Sequence, residues 1–247
     1  MPIITNLSQP QKMKNQIKLI RIKTVFLLSL LTVSACSNPK GWVYRSNNYE
    51  SLTAPTRLQN SSIAVLPFSD KRSNDNSNNY MLYLVPLMPF GYQNLGSPES
   101  VQIHANSGLW LNFNPKEDFA KAMAEELNSA KIFRESFFSN STKDSDYYVS
   151  GEVISTDYNA KLFSYGLSVY GPILWFVGLP ATHVANDLEI KINLIETKSK
   201  KVIFTKNYKA DHYSKVGWVY SLPNDFRYPE MLADLYKKFI KDLSELK

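Results

Sequence analysis

Hydrophobic periodicity is clearest in the second half of the chain. Residues 187–194 alternate between polar and apolar positions, which places four aliphatic side chains on one face: Leu188, Ile190, Ile192 and Leu194. A second apolar run, 202–208, follows across the polar turn 196–200. The pattern predicts an antiparallel hairpin over about 187–208 with one solvated face.

Further strands and two helices are predicted on either side of this hairpin. The apolar run 62–68 is typical of a buried strand, and 147–154 also suits a strand. A helix is expected from Pro115 to about Lys131, capped by Asn114, with Glu117 completing a capping-box pattern. Its apolar stripe is Phe119, Met123 and Leu127. A second helix is expected from Pro229, with an apolar face of Leu232, Leu235, Phe239 and Leu243. The fold class predicted is α/β or α+β, a single domain with a mixed sheet, the hairpin and two or more packed helices.

The first 35 residues have the pattern of a signal peptide. Residues 1–35 contain five basic and no acidic residues, and the uncharged stretch 24–35 follows the last lysine. A basic segment before a short apolar run is typical of a secretory leader, since the run is too short to span a bilayer. Met1 and Met13 both remain possible starts.

The sequence Val33-Ser34-Ala35-Cys36 ends this leader. It resembles the lipobox of bacterial lipoproteins, in which the cysteine is acylated and becomes the new N-terminus. Ser37, where an aspartate is absent, resembles lipoproteins sent on to the outer membrane. We therefore expect a lipid on Cys36 and a location at the outer membrane, facing the periplasm. Two or more acyl chains anchor a protein firmly.

The charge balance changes once the leader is set aside. The chain has 28 basic and 22 acidic residues, and removal of the leader leaves 23 basic residues. A body with a net charge of about +1 lacks the basic footprint of a nucleic-acid-binding protein. Residues 36–60 are expected to form a lipidated N-terminus and tether, and residues 61–247 a periplasmic α/β domain. Trp42, Val43, Tyr44 and Tyr49 indicate that part of the tether packs down instead of extending.

The segment 162–186 carries no formal charge in 25 residues. Its prolines and glycines argue against a transmembrane helix, and apolar runs of 10–14 residues are more often core segments. We therefore expect a buried element of the core first, an interface with a partner second and membrane contact third. If the segment is exposed, the partner surface is expected at Tyr170, Leu174, Trp175 and Phe176.

Catalytic and metal-binding patterns are missing from the sequence. Ser168 lies in a segment one residue too long for the nucleophile-elbow pattern. The histidines His104, His183 and His212 lack metal-ligand spacing, and Asp70 and Asp75 lie outside any calcium-loop pattern. We expect no enzyme activity, no catalytic residue, no metal and no cofactor.

Several segments carry a resemblance to known proteins. Together with the lipobox, the stretches 63–70, 85–91 and 164–172 resemble a group of uncharacterised proteobacterial lipoproteins. The opening strand, 63–70, is also similar to that of the curli-secretion lipoprotein, the penicillin-binding-protein activator lipoprotein and the amino-terminal domain of the Tol–Pal translocation protein. This resemblance implies a small α/β domain that binds envelope proteins without catalysis.

The function expected from the sequence is binding rather than catalysis. We expect an outer-membrane lipoprotein that acts as a binding or scaffold component of the bacterial envelope, with an envelope protein as its partner and no nucleic acid. The alternative is a subunit of an export or surface-assembly apparatus, which would form a detergent-stable ring. The oligomeric state is left open.

Overall fold

The structure is a computed structural model that describes residues 42–49, 55–98, 113–222, 224 and 226–246. The leader 1–35, the lipidation site Cys36 and His104 lie outside these residues. The predictions on them therefore stay predictions.

The described residues form eleven strands, in chain order β1 (Ser62–Val65), β2 (Ser69–Asp70), β3 (Asn76–Asn79), β4 (Phe90–Leu95), β5 (Glu135–Phe138), β6 (Tyr147–Ser155), β7 (Tyr158–Phe163), β8 (Thr182–Asn186), β9 (Glu189–Glu196), β10 (Val202–Lys209) and β11 (Tyr213–Gly217). The helices are α1 (Thr56–Gln59), α2 (Pro115–Ala130), α3 (Pro172–Phe176) and α4 (Tyr228–Ser244). Two short 3₁₀ helices cover Tyr80–Leu84 and Ser168–Tyr170.

The first sheet is mixed, with the order β10-β9-β6-β1-β5. Strand β1 runs parallel to both β5 and β6, and β2 pairs in parallel with β6 further along. All four residues of β1 are buried, as expected for a parallel strand inside a sheet. Strand β9 is antiparallel to both of its neighbours, β6 and β10, so the predicted hairpin over 187–208 is confirmed.

The second sheet is wholly antiparallel, with the order β11-β8-β7-β4-β3. It continues from the first sheet, because the chain passes between them at three short connections: β6 to β7, β8 to β9 and β10 to β11. The wholly buried Tyr228 lies at this junction and donates its hydroxyl to the carbonyl oxygen of Thr156, 2.7 Å away. The second sheet therefore extends from a fixed junction.

Helices α2 and α4 supply most of the helical core. The apolar stripe predicted on each is fully buried, at 0% exposure, on Phe119, Met123, Leu127, Leu232, Leu235, Phe239 and Leu243. The hydroxyl of Tyr236 joins the two helices through a 2.8 Å hydrogen bond to the carbonyl oxygen of Phe119. The protein is thus a mixed α/β domain of the α+β kind, as predicted.

The start of α2 differs in detail from the prediction. The side chain of Asn114 makes no capping hydrogen bond. Instead, the Asn114 N–H donates to Oδ2 of Asp118 at 2.6 Å, while Glu117 pairs with Lys121 at 2.6 Å. Asp118, the residue after Glu117, therefore closes the first turn, because its shorter side chain reaches back to the Asn114 N–H.

Residues 42–49, called the strap below, pack against the helical face of the body. The ring of Trp42 stacks on Phe113 at 5.6 Å and also meets Phe119 and Phe226. Residues 55–60 also lie on the body, with Leu58 only 2% exposed. Of the stretch expected to be a tether, only residues 37–41 separate Cys36 from the strap.

Candidate functional site

An exposed apolar surface lies at the end of the second sheet that is remote from the junction. It comprises residues 80–88, 165–179 and 216–222, and we call it the tip. Of the 16 large apolar side chains exposed in the described part of the chain, 14 belong to the tip. They are Met81, Leu84, Val85, Leu87, Leu167, Val169, Tyr170, Ile173, Phe176, Val177, Leu179, Val216, Tyr220 and Leu222. The other two, Val43 and Val202, lie elsewhere.

The extent of exposure is large for apolar side chains. Leu87 is 89% exposed, Phe176 74% and Val177 72%. None of the tip residues carries a formal charge. Monomeric soluble proteins seldom expose a contiguous apolar surface of this kind, and those that do use it for a protein or a membrane interaction.

The first expectation for 162–186, a buried core element, is wrong for its central part. Neither the 3₁₀ helix 168–170 nor α3 contains a buried residue, whereas β8 at the end of the segment is mostly buried. Gly171 precedes α3, which begins at Pro172 and has only five residues, and Val177 ends it, so the helix is too short to bury an apolar face. Of the four predicted surface residues, Tyr170 and Phe176 are exposed, and Leu174 and Trp175 are half-buried.

Hydrogen bonds between the first two tip segments hold the surface in place. The Leu87 N–H donates to the carbonyl oxygen of Gly166 at 2.9 Å, and the Gly166 N–H donates to that of Met88 at 3.2 Å. The hydroxyl of Ser168 donates to the Leu84 carbonyl oxygen at 2.6 Å. Ser168 is therefore a structural residue, whose side chain ties two loops together.

Two half-buried tryptophans of the tip hold the same surface in place through hydrogen bonds to backbone carbonyl oxygens. Trp175 donates its indole N–H to the carbonyl oxygen of Phe163, 2.9 Å away, and its ring lies 6.3 Å from that of Tyr83. Trp218 donates its indole N–H to the Gly178 carbonyl oxygen at 3.3 Å, which brings residues 216–222 alongside α3. The indole N–H groups of both tryptophans thus face inward, while large apolar side chains of the tip face outward.

Backbone geometry at the tip is unusual. Positive φ angles occur at Leu87 (69°), Tyr165 (55°) and Ser168 (53°), as well as at two glycines. A left-handed conformation costs a residue with a side chain about 1–2 kcal/mol. At Leu87 the cost of the backbone conformation adds to the cost of exposing an apolar side chain to water, and both lower the stability of the folded state. Such strain is typical of functional sites.

Close backbone approach explains one glycine of the tip. A Cβ atom on Gly171 would lie 2.7 Å from Cα of Ser164, nearer than real Cβ atoms approach one another. Any side chain there would push the loop 165–179 away from β7. Gly171 is therefore required for the tip to seat on the sheet.

Basic residues mark the rim of the tip. The first formal charge along β7, counted from the tip, is Lys161, and along β11 it is Lys215. Between them His183 accepts or donates a hydrogen bond to Ser214 at 2.9 Å. Partial burial, together with the charges of Lys161 and His212, lowers the pKa of His183 below its ordinary value of 6.5. The imidazole is therefore neutral at neutral pH.

A buried carboxylate holds the strap. Glu126 on α2 is fully buried and accepts hydrogen bonds from the Tyr44 hydroxyl at 2.6 Å and the Asn47 side-chain amide at 2.6 Å. It also accepts from the Asn47 backbone N–H and the Tyr49 hydroxyl. Burial, with Glu126 close by, raises the pKa of Tyr44 and Tyr49 far above 10.0.

The remaining candidates for chemistry are occupied by structural contacts. Arg72, 8% exposed, forms a two-pronged ion pair with Asp70 at 2.8 and 2.9 Å. His212 lies 2.9 Å from the carboxylate of Asp187. Within the described ranges, no group of three or more His, Cys, Asp or Glu side chains is arranged to hold a metal ion. Likewise, none of the helices in those ranges is both long and apolar enough to cross a bilayer.

Part of the tip was missed by the sequence argument. Met81, Leu87, Tyr220 and Leu222 lie outside the segment singled out, although 76–98 shares its lack of charge. The lack of charge that these two distant segments share is a signal from which their contact could have been predicted. The third segment, 216–222, gives no comparable signal.

No protein-family model matches the chain, and no curated protein matches it significantly. Among solved structures, XCC0632 from Xanthomonas campestris, described by the family model DUF330, has 10% identity and a TM-score of 0.42, over 84% of this chain and 93% of that one. PelC from Paraburkholderia phytofirmans, solved as a dodecamer, has 11% identity and a TM-score of 0.38, over 78% and 93%.

A homologue of the putative neuraminyllactose-binding hemagglutinin from Helicobacter pylori has 10% identity and a TM-score of 0.38, over 83% of this chain and 92% of that one. These three neighbours are bacterial proteins. At such TM-scores nothing about ligand, partner or activity is transferred to this chain. The lipoprotein resemblance drawn from the sequence stays a prediction.

Proposed function

We propose that the protein is a non-enzymatic lipoprotein of the bacterial outer membrane, whose periplasmic body binds another envelope component through the tip. The observation that carries the proposal is the concentration of exposed apolar side chains on one uncharged surface. Exposure of that surface to water costs free energy, so it is retained for an interaction that covers it. The leader and the lipid on Cys36 supply the location.

The binding role agrees with how the tip is built. Its two long segments are tied together by backbone and side-chain hydrogen bonds, including that from Ser168 to Leu84. A surface that is already ordered loses little conformational entropy when it binds. Binding through a preformed apolar surface needs no reaction at the site.

The location is tested by Cys36→Ser, which removes the thiol that receives the lipid. We expect the variant to move from the membrane fraction to the soluble periplasmic fraction. Unchanged fractionation would show that Cys36 does not anchor the protein.

The binding role is tested by a photo-crosslinking amino acid placed at Phe176, with Val202 as the matched position. Both side chains are exposed, at 74% and 51%, but only Phe176 belongs to the tip. We expect adducts to an envelope component from position 176 in intact cells and few from position 202. Equal adduct yields at the two positions would contradict a binding role for the tip.

A further inference from the structure

We infer that the component covered by the tip is the phospholipid surface of the membrane that holds the lipid of Cys36. This inference rests on the proposed function, since it needs the lipid anchor, and it names the partner of the same surface. Four properties of the structure carry it: the reach of the chain, the shape of the tip, its hydrogen bonding and the charge at its rim.

The short linker limits how far the body can lie from the acyl chains proposed on Cys36. The strap fixes Trp42 on the body, so five residues, 37–41, separate it from Cys36. Six residue steps span at most about 20 Å. Trp42 packs on Phe226, which neighbours Tyr228 at the junction, and β7 covers about 17 Å from there to the tip. The linker therefore holds Cys36 within about 20 Å of Trp42, a span similar to the length of β7 between the junction and the tip.

The shape of the tip suits a fluid partner. Leu87, Phe176 and Val177 each expose more than 70% of their surface, so they stand clear of their neighbours. Lipid tails and headgroups can surround such side chains from all sides. A rigid protein partner would need a separate pocket for each of them.

The hydrogen bonds of the tip suit a surface that is transferred from water into lipid. Backbone N–H and C=O groups that enter lipid need partners within the protein. At the tip, the N–H groups of Leu87 and Gly166 and the carbonyl oxygen of Leu84 are paired across the two loops. Trp175 and Trp218 also use their indole N–H groups for internal carbonyl oxygens.

Charge at the rim suits a phospholipid surface. The tip itself has no formal charge, and the first charges behind it on β7 and β11 are the ammonium groups of Lys161 and Lys215. When the apolar side chains enter the lipid interface, these lysines come level with the headgroups, which include anionic ones. The arrangement is that of an interfacial segment, with an apolar face inserted and basic residues at its border.

The experiment measures flotation with vesicles of phosphatidylethanolamine and phosphatidylglycerol. It compares the mature chain carrying Cys36→Ser, which has no lipid, with the same chain carrying in addition Ile173→Asp and Phe176→Asp. The matched control is Val202→Asp, an exposed apolar side chain away from the tip. Thermal unfolding of each chain checks that the exposed substitutions leave the fold intact.

We expect the chain with an intact tip to float with the vesicles, the control to behave alike and the double variant to partition at least tenfold less. Flotation should persist at raised salt concentration, because apolar insertion is not screened. Equal flotation of all chains, or its loss at high salt, would overturn the inference.

A second readout uses the lipidated wild-type protein in vesicles whose acyl chains carry bromine. Trp175 belongs to the tip and is half-buried, so we expect its fluorescence to be quenched and the quenching to diminish in Trp175→Phe. Unquenched fluorescence, combined with protein adducts from position 176 in cells, would assign the tip to a protein partner. That result would leave the binding role standing while refuting the lipid surface.

Discussion

Replacement of Glu126 by glutamine should weaken the attachment of the strap. The carboxylate accepts hydrogen bonds from three side chains and one backbone N–H of the strap, and it is completely buried. Glutamine keeps the volume and one oxygen, but it turns the second acceptor into a donor. At least one of the tyrosine hydroxyls then faces an N–H group instead of an oxygen.

The magnitude follows from the number of bonds affected. A hydrogen bond to a charged group contributes about 1.5–3 kcal/mol, and a neutral one about half as much. Loss of one or two charge-assisted bonds and weakening of the rest gives about 3 kcal/mol, since the half-buried donors can turn to water. For a domain of this size the loss lowers Tm by roughly 6–12 °C.

Urea unfolding of Glu126→Gln and of the matched control Glu125→Gln measures the effect. Glu125 is the preceding residue of α2, but it is exposed. We expect the control to stay within about 0.5 kcal/mol of the wild type. Trypsin should also cut after the exposed Arg45 faster in Glu126→Gln. Equal unfolding midpoints for the two variants would refute the role assigned to the carboxylate.

Three further outcomes are expected. Leu87→Asn should raise stability by about 0.5–1 kcal/mol, because asparagine tolerates the φ of 69°, and it should reduce vesicle flotation; a loss of stability on chemical unfolding would contradict the strain. Gly171→Ala should lower stability and disturb the tip, since its Cβ would meet Cα of Ser164 at 2.7 Å; an unchanged melting curve would refute the close approach. Stability should fall as pH rises above 10, by about 1.4 kcal/mol per pH unit for each tyrosine whose pKa burial raises, because the unfolded chain ionises first; Tyr44→Phe should lessen this slope in unfolding curves measured from pH 9 to 11.

Local side-chain patterns were sufficient to predict much of the fold. The alternation of 187–194 and the stripes on α2 and α4 follow from the periods of strand and helix, which depend only on neighbouring residues. The start of α2 was predicted to the residue, although Asp118 rather than Glu117 closes its first turn. The pairing of strands into two sheets joined end to end needed contacts that no local pattern contains.

The candidate site was harder to predict, because the burial of a residue depends on which other parts of the chain pack over it. An uncharged run such as 162–186 has the same composition whether another element covers it or not. Trp175 is half-buried and lies near the ring of Tyr83, which is far away in sequence, while Phe176 beside it is 74% exposed. In the same way, Glu125 and Glu126 are neighbouring residues of the same type, but the second is buried and bonded to the strap, whereas the first is exposed.

The shortness of the linker also sets how strongly the tip needs to bind. If Cys36 carries the proposed acyl chains, docking of the tip becomes an intramolecular step once they are embedded, and a short flexible linker gives an effective concentration in the millimolar range or above. A tip whose separate dissociation constant were about 1 mM would then be engaged for half of the time or more. Release of the strap would leave 18 residues, 37–54, instead of five between Cys36 and the next segment that lies on the body, 55–60, and so dilute the tip at the surface. The hydrogen bonds of the buried Glu126 carboxylate would in this way affect how strongly the tip, at the other end of the second sheet, binds.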